Sequence, residues 1–385
     1  EAGPDRALAV SRRLCERSRA DDADVRVVSR RTSRLGFVAN AATEAIQGES
    51  VTVAVRVRIG ERLGTARVEG ELADAADRAL ALALEAAPSG DLAGAASFPE
   101  PGRVAPKSAF ASDTRDHPLA AKASALASIV ARCRASGLGA SGWFETSAWT
   151  VTHVSSRGIA VQQPLSRARI SVAAAGPGGI GREDGVHADV ARLDPTAIAE
   201  AAVREASAER APTRASSGGV ALLEPAAFAE LLVLAFVDGL LRPGAPVAQS
   251  LEVHDDVHHP LEIGEPFDDA GAPRRRVVLA SGGASREARP ARHVVVDAGS
   301  ASREDLLRDL GSGVVVARLQ DVSHVDGAIV ASVSSALRLE SKLGALLAGV
   351  RSVGSDVRLV ETESGALVVA PAVTIDGASF VEPAA

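Results

Sequence analysis

The chain has 385 residues, of which 46% are hydrophobic and 24% are charged, and its formal net charge is −7 at pH 7. This length exceeds what one hydrophobic core usually supports, so we expect two domains, and the composition is that of an ordinary globular protein. Because no long apolar run and no charged leader before a short apolar stretch occur, we expect neither a membrane nor a secreted protein. Two widely separated cysteines, Cys15 and Cys133, favour a reducing cytoplasm over a disulfide framework.

The distribution of basic and aromatic residues argues against direct nucleic-acid binding. Such binding draws most of its affinity from lysine and arginine placed against phosphates. This chain is acidic, its longest basic run is Arg274-Arg275-Arg276, and it has eight phenylalanines, two tryptophans and no tyrosine. We therefore expect no nucleic-acid partner.

The first half of the chain predicts an α+β domain in which helices pack on a mixed sheet. Valines alternate with polar residues over 51–59, which is the period of a strand with one wet face. Trp143 and Trp149 are expected to fill the space beneath the sheet. Helical composition is found at 5–20, 71–87 and 119–136, and strands are predicted at 51–59 and 142–175.

The second half predicts a β-rich domain. Asp194 followed by Pro195 is typical of a helix start, and the helix should run to about residue 210. A hinge is expected at 211–219, which places the two domains at 1–212 and 213–385. Short helices among the later strands are predicted at 226–241, 302–310 and 343–350.

Several segments, taken in order, resemble the TldD/PmbA family of metallopeptidase subunits, in which PmbA is also called TldE. The opening pair of strands at 23–40 and 48–70 is followed by the turn Ser155-Ser156-Arg157-Gly158 and by the sequence PFDDAGAPRR at 266–275. Further matching segments lie at 302–307, 313–319, 353–356 and 370–372. The resemblance covers nearly the whole chain and implies that the second domain is barrel-like. Members of this family have also been described as modulators of DNA gyrase.

The predicted helix at 226–241 is where the family's protease subunit carries a zinc-binding HExxxH motif. If Glu230 is aligned with the glutamate of that motif, Ala229 and Leu234 occupy the two ligand positions. Neither side chain can donate a lone pair to zinc, and a catalytic zinc needs about three protein ligands. The protease subunit also uses a late cysteine, whereas both cysteines here lie in the first half.

The resemblance therefore implies the PmbA/TldE branch, a subunit with no catalytic residue and no cofactor of its own. Such a subunit forms a heterodimer with a zinc-bearing TldD-like partner and encloses a peptide or another amide-containing substrate. The composition suggests a GC-rich genome, which leaves open maturation of a peptide in a specialised biosynthetic pathway. Whether the chain takes part in an enzyme at all stays open at this stage.

Four groups of residues are candidates for chemistry or contact, each with a plainer explanation. The stretch 176–181 matches GxGxxG but is not followed by a helical pattern, so it predicts a hairpin rather than a nucleotide site. Glu230 without a metal-bound water is expected to be a capping or surface carboxylate. His324 beside Asp326 has the pattern of a general base but lacks a nucleophile.

The densest cluster of ligand-type side chains lies at 254–259. On a strand, His254, Asp256 and His258 would project from one face, about 6.6 Å apart, and two of them could share a metal. The plainer interpretation is a polar strand end facing solvent or the partner. The residues expected to face the substrate channel or the partner are Glu230, His254, Asp255, Asp256, His258, His259, His324 and Asp326.

Two alternatives to the partner-subunit hypothesis remain. The chain could be a stand-alone scaffold or binding protein, for example a homodimer. It could also be an independent metal-assisted hydrolase that uses the cluster from His254 to His259.

Overall fold

The structure is a computed structural model, which describes residues 3–92, 98–177, 179–207, 216–287, 290–325, 327–334 and 337–382. The chain divides into two compact units, Glu1–Ser207 with Ile263–Arg274 and Ala208–Glu262 with Arg275–Ala385. Both units combine helices with large sheets, which confirms the α+β class. Within the described part of the chain, no helix is both long and apolar enough to span a membrane.

Residues 263–274 belong to the first unit and not to the C-terminal domain that the sequence predicts for them. Glu265 in this segment forms a half-buried ion pair with Arg26, 2.5 Å apart. Gly271, at φ +83°, lies so close to His153 that a Cβ there would come within 2.5 Å of the imidazole Cδ2. These contacts join residues more than a hundred positions apart, so no local pattern could have indicated them.

The first unit contains five α-helices and seven strands among its described residues. In chain order they are α1 (Pro4–Arg17), β1 (Asp22–Val38), β2 (Ala41–Ile59), β3 (Arg62–Glu69), α2 (Leu72–Ala86), β4 (Asp91–Leu92), α3 (Ser112–Arg115), α4 (Leu119–Ala135), β5 (Gly139–Ser155), β6 (Ala160–Gly176), β7 (Gly179–His187) and α5 (Pro195–Ser207).

The sheet of the first unit has the strand order β4-β3-β2-β1-β5-β6-β7. Every described pair is antiparallel, so the prediction of a mixed sheet is wrong, because strand direction is set by pairing and not by the period of a strand. The predicted alternation in β2 is confirmed, because Val53, Val55 and Val57 are fully buried against helices α1 and α2. Helices α4 and α5 cover Phe144 and Ile170 on the same face of the sheet. The hairpin predicted at the glycine-rich stretch is also confirmed, since β6 ends at Gly176 and pairs with β7.

The two tryptophans lie on the face of this sheet that the helices do not cover. Trp143 and Trp149 alternate along β5 with Phe144, whose side chain points to the helices. Both indoles are half-buried. The expectation that they fill the space beneath the sheet is wrong, because alternation identifies two faces without saying which of them the helices cover.

The second unit contains three α-helices and eleven strands among its described residues. In chain order they are β8 (Ser216–Leu223), α6 (Pro225–Leu232), β9 (Val253–Asp255), β10 (Val277–Ser281), β11 (Ala284–Ser285), β12 (Val294–Val296), α7 (Arg303–Leu310), β13 (Val314–Val316), β14 (Gln320–Val325), β15 (Ala328–Ser334), β16 (Leu337–Ser341), α8 (Leu343–Ala348), β17 (Val350–Glu361) and β18 (Leu367–Val381).

Strand β18 organises the sheet of the second unit. It pairs with β12, β16, β17 and β8, and the main path runs β11-β10-β9-β12-β18-β16-β15-β14. Among the described strands, the two ends of this path do not pair with each other, so the unit is β-rich without forming a closed barrel. Its core packs helix α6 against β18.

The start of helix α7 carries a capping box that gives a testable local prediction. The Ser302 hydroxyl accepts from the Asp305 amide at 3.1 Å, and the Asp305 carboxylate accepts from the Ser302 amide at 3.0 Å. A hydrogen bond that the Ser302 hydroxyl donates to the Asp305 carboxylate at 2.6 Å, followed by those from the Ser302 amide and from Arg308, lowers the pKa of Asp305 to about 2. Replacing Ser302 with alanine should lower the free energy of unfolding by about 1 kcal/mol, measured by urea denaturation. Ser128→Ala, an exposed change on α4, should stay within about 0.5 kcal/mol.

Candidate functional site

Helix α6 occupies the position at which the family resemblance implies a metal site in the protease subunit. It begins with Pro225 at its first position, where a missing amide hydrogen costs nothing. Seven of its eight residues are buried, and a π-helical turn, Val233–Val237, continues it. A helix that is buried on all sides and mostly apolar belongs inside a core.

The two positions aligned with the zinc ligands are part of that core. Ala229 is fully buried, and Leu234 packs against the same apolar cluster. Neither offers a lone pair, so the residues present do not fit a zinc ion at this place. This is a property of the side chains themselves.

Glu230 is buried, and the expectation of a surface carboxylate is wrong. The residue is only 6% exposed, and its Oε1 accepts a hydrogen bond from the Glu363 amide at 2.8 Å. Burial, reinforced by the nearby Glu363 carboxylate, raises the pKa of Glu230 to about 7, against smaller lowering effects of the amide bond and of Arg318. Glu230 therefore anchors the loop between β17 and β18.

The loop between β17 and β18 also contacts strand β14. The Glu363 carboxylate accepts from the Asp321 amide at 3.1 Å, at a position where Asp321 has φ +51°. His324 lies further along β14 and is exposed. Asp326, its predicted acidic neighbour, lies outside the described residues, so the His324–Asp326 pair stays a prediction.

The cluster at 254–259 does not continue as a strand. Strand β9 ends at Asp255, and the chain turns, with the Asp256 carboxylate accepting from the His258 amide at 2.9 Å. His259 Nδ1 accepts from the Leu261 amide at 3.3 Å. The predicted row of three side chains on one strand face is wrong, because short-range hydrogen bonds of this kind compete with strand pairing.

The buried members of this cluster have separate partners. His254 Nε2 lies 3.1 Å from Asp297, whose carboxylate also pairs with Arg276 at 3.2 Å. The Asp255 carboxylate accepts from the His293 amide at 3.1 Å. Among the described residues, no group of three or more His, Cys, Asp or Glu side chains is placed to hold a metal ion. The geometry thus gives no support to a metal-assisted hydrolase centred here.

The structure also contains a second histidine–carboxylate pair, which the sequence does not predict. His293 Nδ1 lies 3.1 Å from Glu262, and Glu262 is only 1% exposed. The two residues are 31 positions apart, and the pairing of β9 with β12 brings them together. No spacing in the sequence could have indicated this pair.

Comparison with known proteins identifies the fold. No protein-family model matches the sequence, and a search of curated proteins gave no match. Among solved structures, TldE from Thermococcus kodakarensis is similar with a TM-score of 0.84 and 18% identity, over 97% of this chain and 100% of that one.

Two other solved structures are also similar over nearly their whole length. A putative modulator of a DNA gyrase from Thermotoga maritima has a TM-score of 0.78 and 14% identity, covering 98% of this chain and 99% of that chain. A putative modulator of DNA gyrase from Bacteroides thetaiotaomicron has a TM-score of 0.81 and 12% identity, covering 99% and 100%. The chain therefore shares the fold of TldE and of these two putative modulators of DNA gyrase, as the resemblance seen in the sequence predicted.

Proposed function

We propose that this chain is the non-catalytic, PmbA/TldE-like subunit of a heterodimeric zinc-dependent peptidase or amide hydrolase. The observation that carries the proposal is the apolar packing of Ala229 and Leu234 at the positions of the implied zinc ligands. The fold shared with TldE supports the choice of branch. In this proposal a chain without the ligand set relies on a companion to supply the metal.

In this proposal, a TldD-like partner provides the zinc, which would activate water for attack on an amide. This chain contributes a wall of the substrate chamber and contacts to a peptide or an amide-bearing biosynthetic intermediate. Glu230 is given no proton-transfer role in this proposal, because the neighbouring Ala229 and Leu234 cannot hold a metal-bound water for it to deprotonate. Both described cysteines are buried and unpaired, which supports a reducing cytoplasm as the location.

The test is co-expression with a TldD-type protein encoded in the same genome. We expect one stable complex on size-exclusion chromatography, with about one zinc per heterodimer by elemental analysis. Amide hydrolysis should require both chains. Replacing a histidine of the partner's HExxxH should reduce turnover to background, whereas His254→Ala in this chain should leave it within about twofold.

Two results would contradict the proposal. The isolated chain could bind stoichiometric zinc and hydrolyse amides, with activity lost in His254→Ala, which would favour an independent hydrolase. Alternatively, the chain could form a homodimer that ignores the TldD-type protein and shows no turnover, which would favour a scaffold.

A further inference from the structure

One face of the first sheet carries a concentration of arginines and tryptophans that the proposed function does not explain. It is the face opposite the helices, on the central strands β1, β5 and β6. We call it the arginine–tryptophan face, and its members are Arg30, Arg34, Trp143, Glu145, Ser147, Trp149, Arg167 and Arg169.

Strand register places these side chains together. Arg30 lies directly across from Trp149, and Glu145 lies between Arg34 on one side and Arg169 on the other. Directly paired residues and residues two apart on a strand share one face. The members therefore form a continuous surface built on the most extensively paired strands of the unit, which are rigid supports for a binding site.

The tryptophans hold the guanidinium groups in place. The Arg30 guanidinium lies 4.7 Å from the Trp149 ring centroid. Two others, from Arg34 and Arg169, lie 4.9 Å and 4.7 Å from the Trp143 ring centroid. Stacking on an indole fixes the plane of a guanidinium while its N–H groups stay able to donate.

Arg30 is the least neutralised charge on this face. Among the described residues, no carboxylate lies within ion-pair distance of its guanidinium. The guanidinium is in close contact with the Trp149 ring, on which it stacks. Burial lowers the pKa of Arg30, and the charge of Arg169 adds to that effect, while Glu145 and Glu265 act in the opposite direction from longer range. By contrast, Arg169 forms a 3.0 Å ion pair with Glu145. A half-buried cation without a counterion is costly unless an anion completes the site.

Ser147 provides a second, independent indication of a ligand. It sits in the middle of the face, between Thr32 and Arg167 on the neighbouring strands, and is only 2% exposed. Its buried hydroxyl has no hydrogen-bond partner within the described chain. Native proteins rarely leave a buried hydroxyl unsatisfied without a functional reason.

We infer that the arginine–tryptophan face binds a carboxylate-bearing, peptide-like ligand. The fork of Arg30 matches a carboxylate, Ser147 supplies a hydroxyl beneath it, and the indoles pack against the apolar parts of the ligand. A short acidic peptide fits better than a nucleic acid, because the fork of Arg30 can bind a single carboxylate, whereas an extended polyanion needs many cations and the longest basic run of this acidic chain is Arg274-Arg275-Arg276. The inference rests on the proposed function in naming this ligand as the substrate of the heterodimer.

Intrinsic fluorescence gives a direct test on the isolated 385-residue chain. The sequence has two tryptophans and no tyrosine, and both tryptophans lie on this face, so the emission reports on the site alone. We would titrate an end-capped tetrapeptide of alternating glutamate and alanine, and the same peptide with glutamine. The acidic peptide should give a saturable change and bind at least about tenfold more tightly than the glutamine peptide, with an affinity that falls as salt rises.

Variants separate the site from general charge effects. Arg30→Gln should lower the affinity for the acidic peptide by about tenfold. Arg30→Lys, which keeps the charge without the fork, should lower the affinity by an intermediate amount. Arg134→Gln, on the exposed side of helix α4, is the matched control and should have no effect. Circular dichroism would verify that each variant is folded.

The inference is overturned if the glutamine peptide binds equally well, or if Arg30→Gln changes nothing. Tighter binding of inorganic phosphate or of a single-stranded oligonucleotide would assign the face to another ligand class. Because this assay needs neither partner nor turnover, its failure leaves the co-purification result standing. Loss of co-purification with intact peptide binding would instead remove the proposed function and keep the site.

Discussion

Replacing Glu230 with glutamine is expected to stabilise the second unit by about 3 kcal/mol at pH 8 and by only about 1 kcal/mol at pH 5. The carboxyl is almost completely buried, and its pKa is raised from 4.5 to about 7. A raised pKa means that the stability contributed by the protonated form is present below about pH 4.5 and is lost as the pH passes through 7. Glutamine cannot ionise, and its Oε1 can still accept from the Glu363 amide, so the variant avoids this loss.

The measurement is urea unfolding of both proteins at the two pH values, followed by far-ultraviolet circular dichroism. Both tryptophans lie in the first unit, so a parallel fluorescence curve separates that unit from the one that contains Glu230. Glu340→Gln, an exposed change on β16, should show no comparable pH-dependent gain. If Glu230→Gln were instead less stable at pH 8, an ionised Glu230 would be stabilising, contrary to the structure.

Replacing Lys122 with methionine should make the first unit less stable, relative to the natural chain, as the pH rises. This trend is opposite to the one expected for Glu230→Gln. Lys122 is fully buried on helix α4, where Nζ donates to His117 O at 3.1 Å and to the Ser33 hydroxyl at 3.3 Å. Burial lowers its pKa from 10.5 to about 8. Between these values the unfolded chain binds more protons than the folded one, so the stability of the natural chain rises with pH.

The expected result is that the stability of Lys122→Met relative to the natural chain falls by about 2 kcal/mol between pH 7 and pH 10. The loss of the two Lys122 hydrogen bonds changes the stability of the variant by the same amount at every pH, so it does not alter how that stability depends on pH. The chain has no tyrosine, and its other lysines are Lys107 and Lys342. Burial raises the pKa of the Cys15 and Cys133 thiols, but this affects the variant and the natural chain alike and cancels in the comparison. Tryptophan fluorescence during urea unfolding reports on the correct unit. If the difference in stability between Lys122→Met and the natural chain were the same at pH 7 and at pH 10, Lys122 would not be the source of the pH dependence.

Local patterns identified most elements of this fold. The alternation at 51–59 predicted strand β2, and Asp194 does accept from the Thr196 and Ala197 amides at the start of helix α5. Each depends on residues within a few positions of one another, where period and capping chemistry are visible in the sequence. The absence of ligands at Ala229 and Leu234 is likewise a matter of residue identity, and the structure adds that both positions belong to the core.

The turn at 256–259 shows where local patterns fail. Histidines and aspartates at alternating positions satisfy a strand period, yet the Asp256 side chain bonds two residues ahead and ends the strand. Periodicity cannot distinguish a continued strand from a turn closed by the Asp256 side chain, because the pairing partner that would extend the strand lies elsewhere in the chain.

Residue identity and local pattern establish the chemistry that this polypeptide lacks, the order of its segments and the position of most helices and long strands. The tertiary structure decided which residues meet, such as His293 with Glu262 and Arg30 with Trp149, and it placed residues 263–274 with the first unit. The physical reason is that the register of a strand and the face on which its side chains lie are set by pairing with strands distant in the chain. The hydrophobic period and the capping residues of an element, by contrast, depend on a few neighbouring residues.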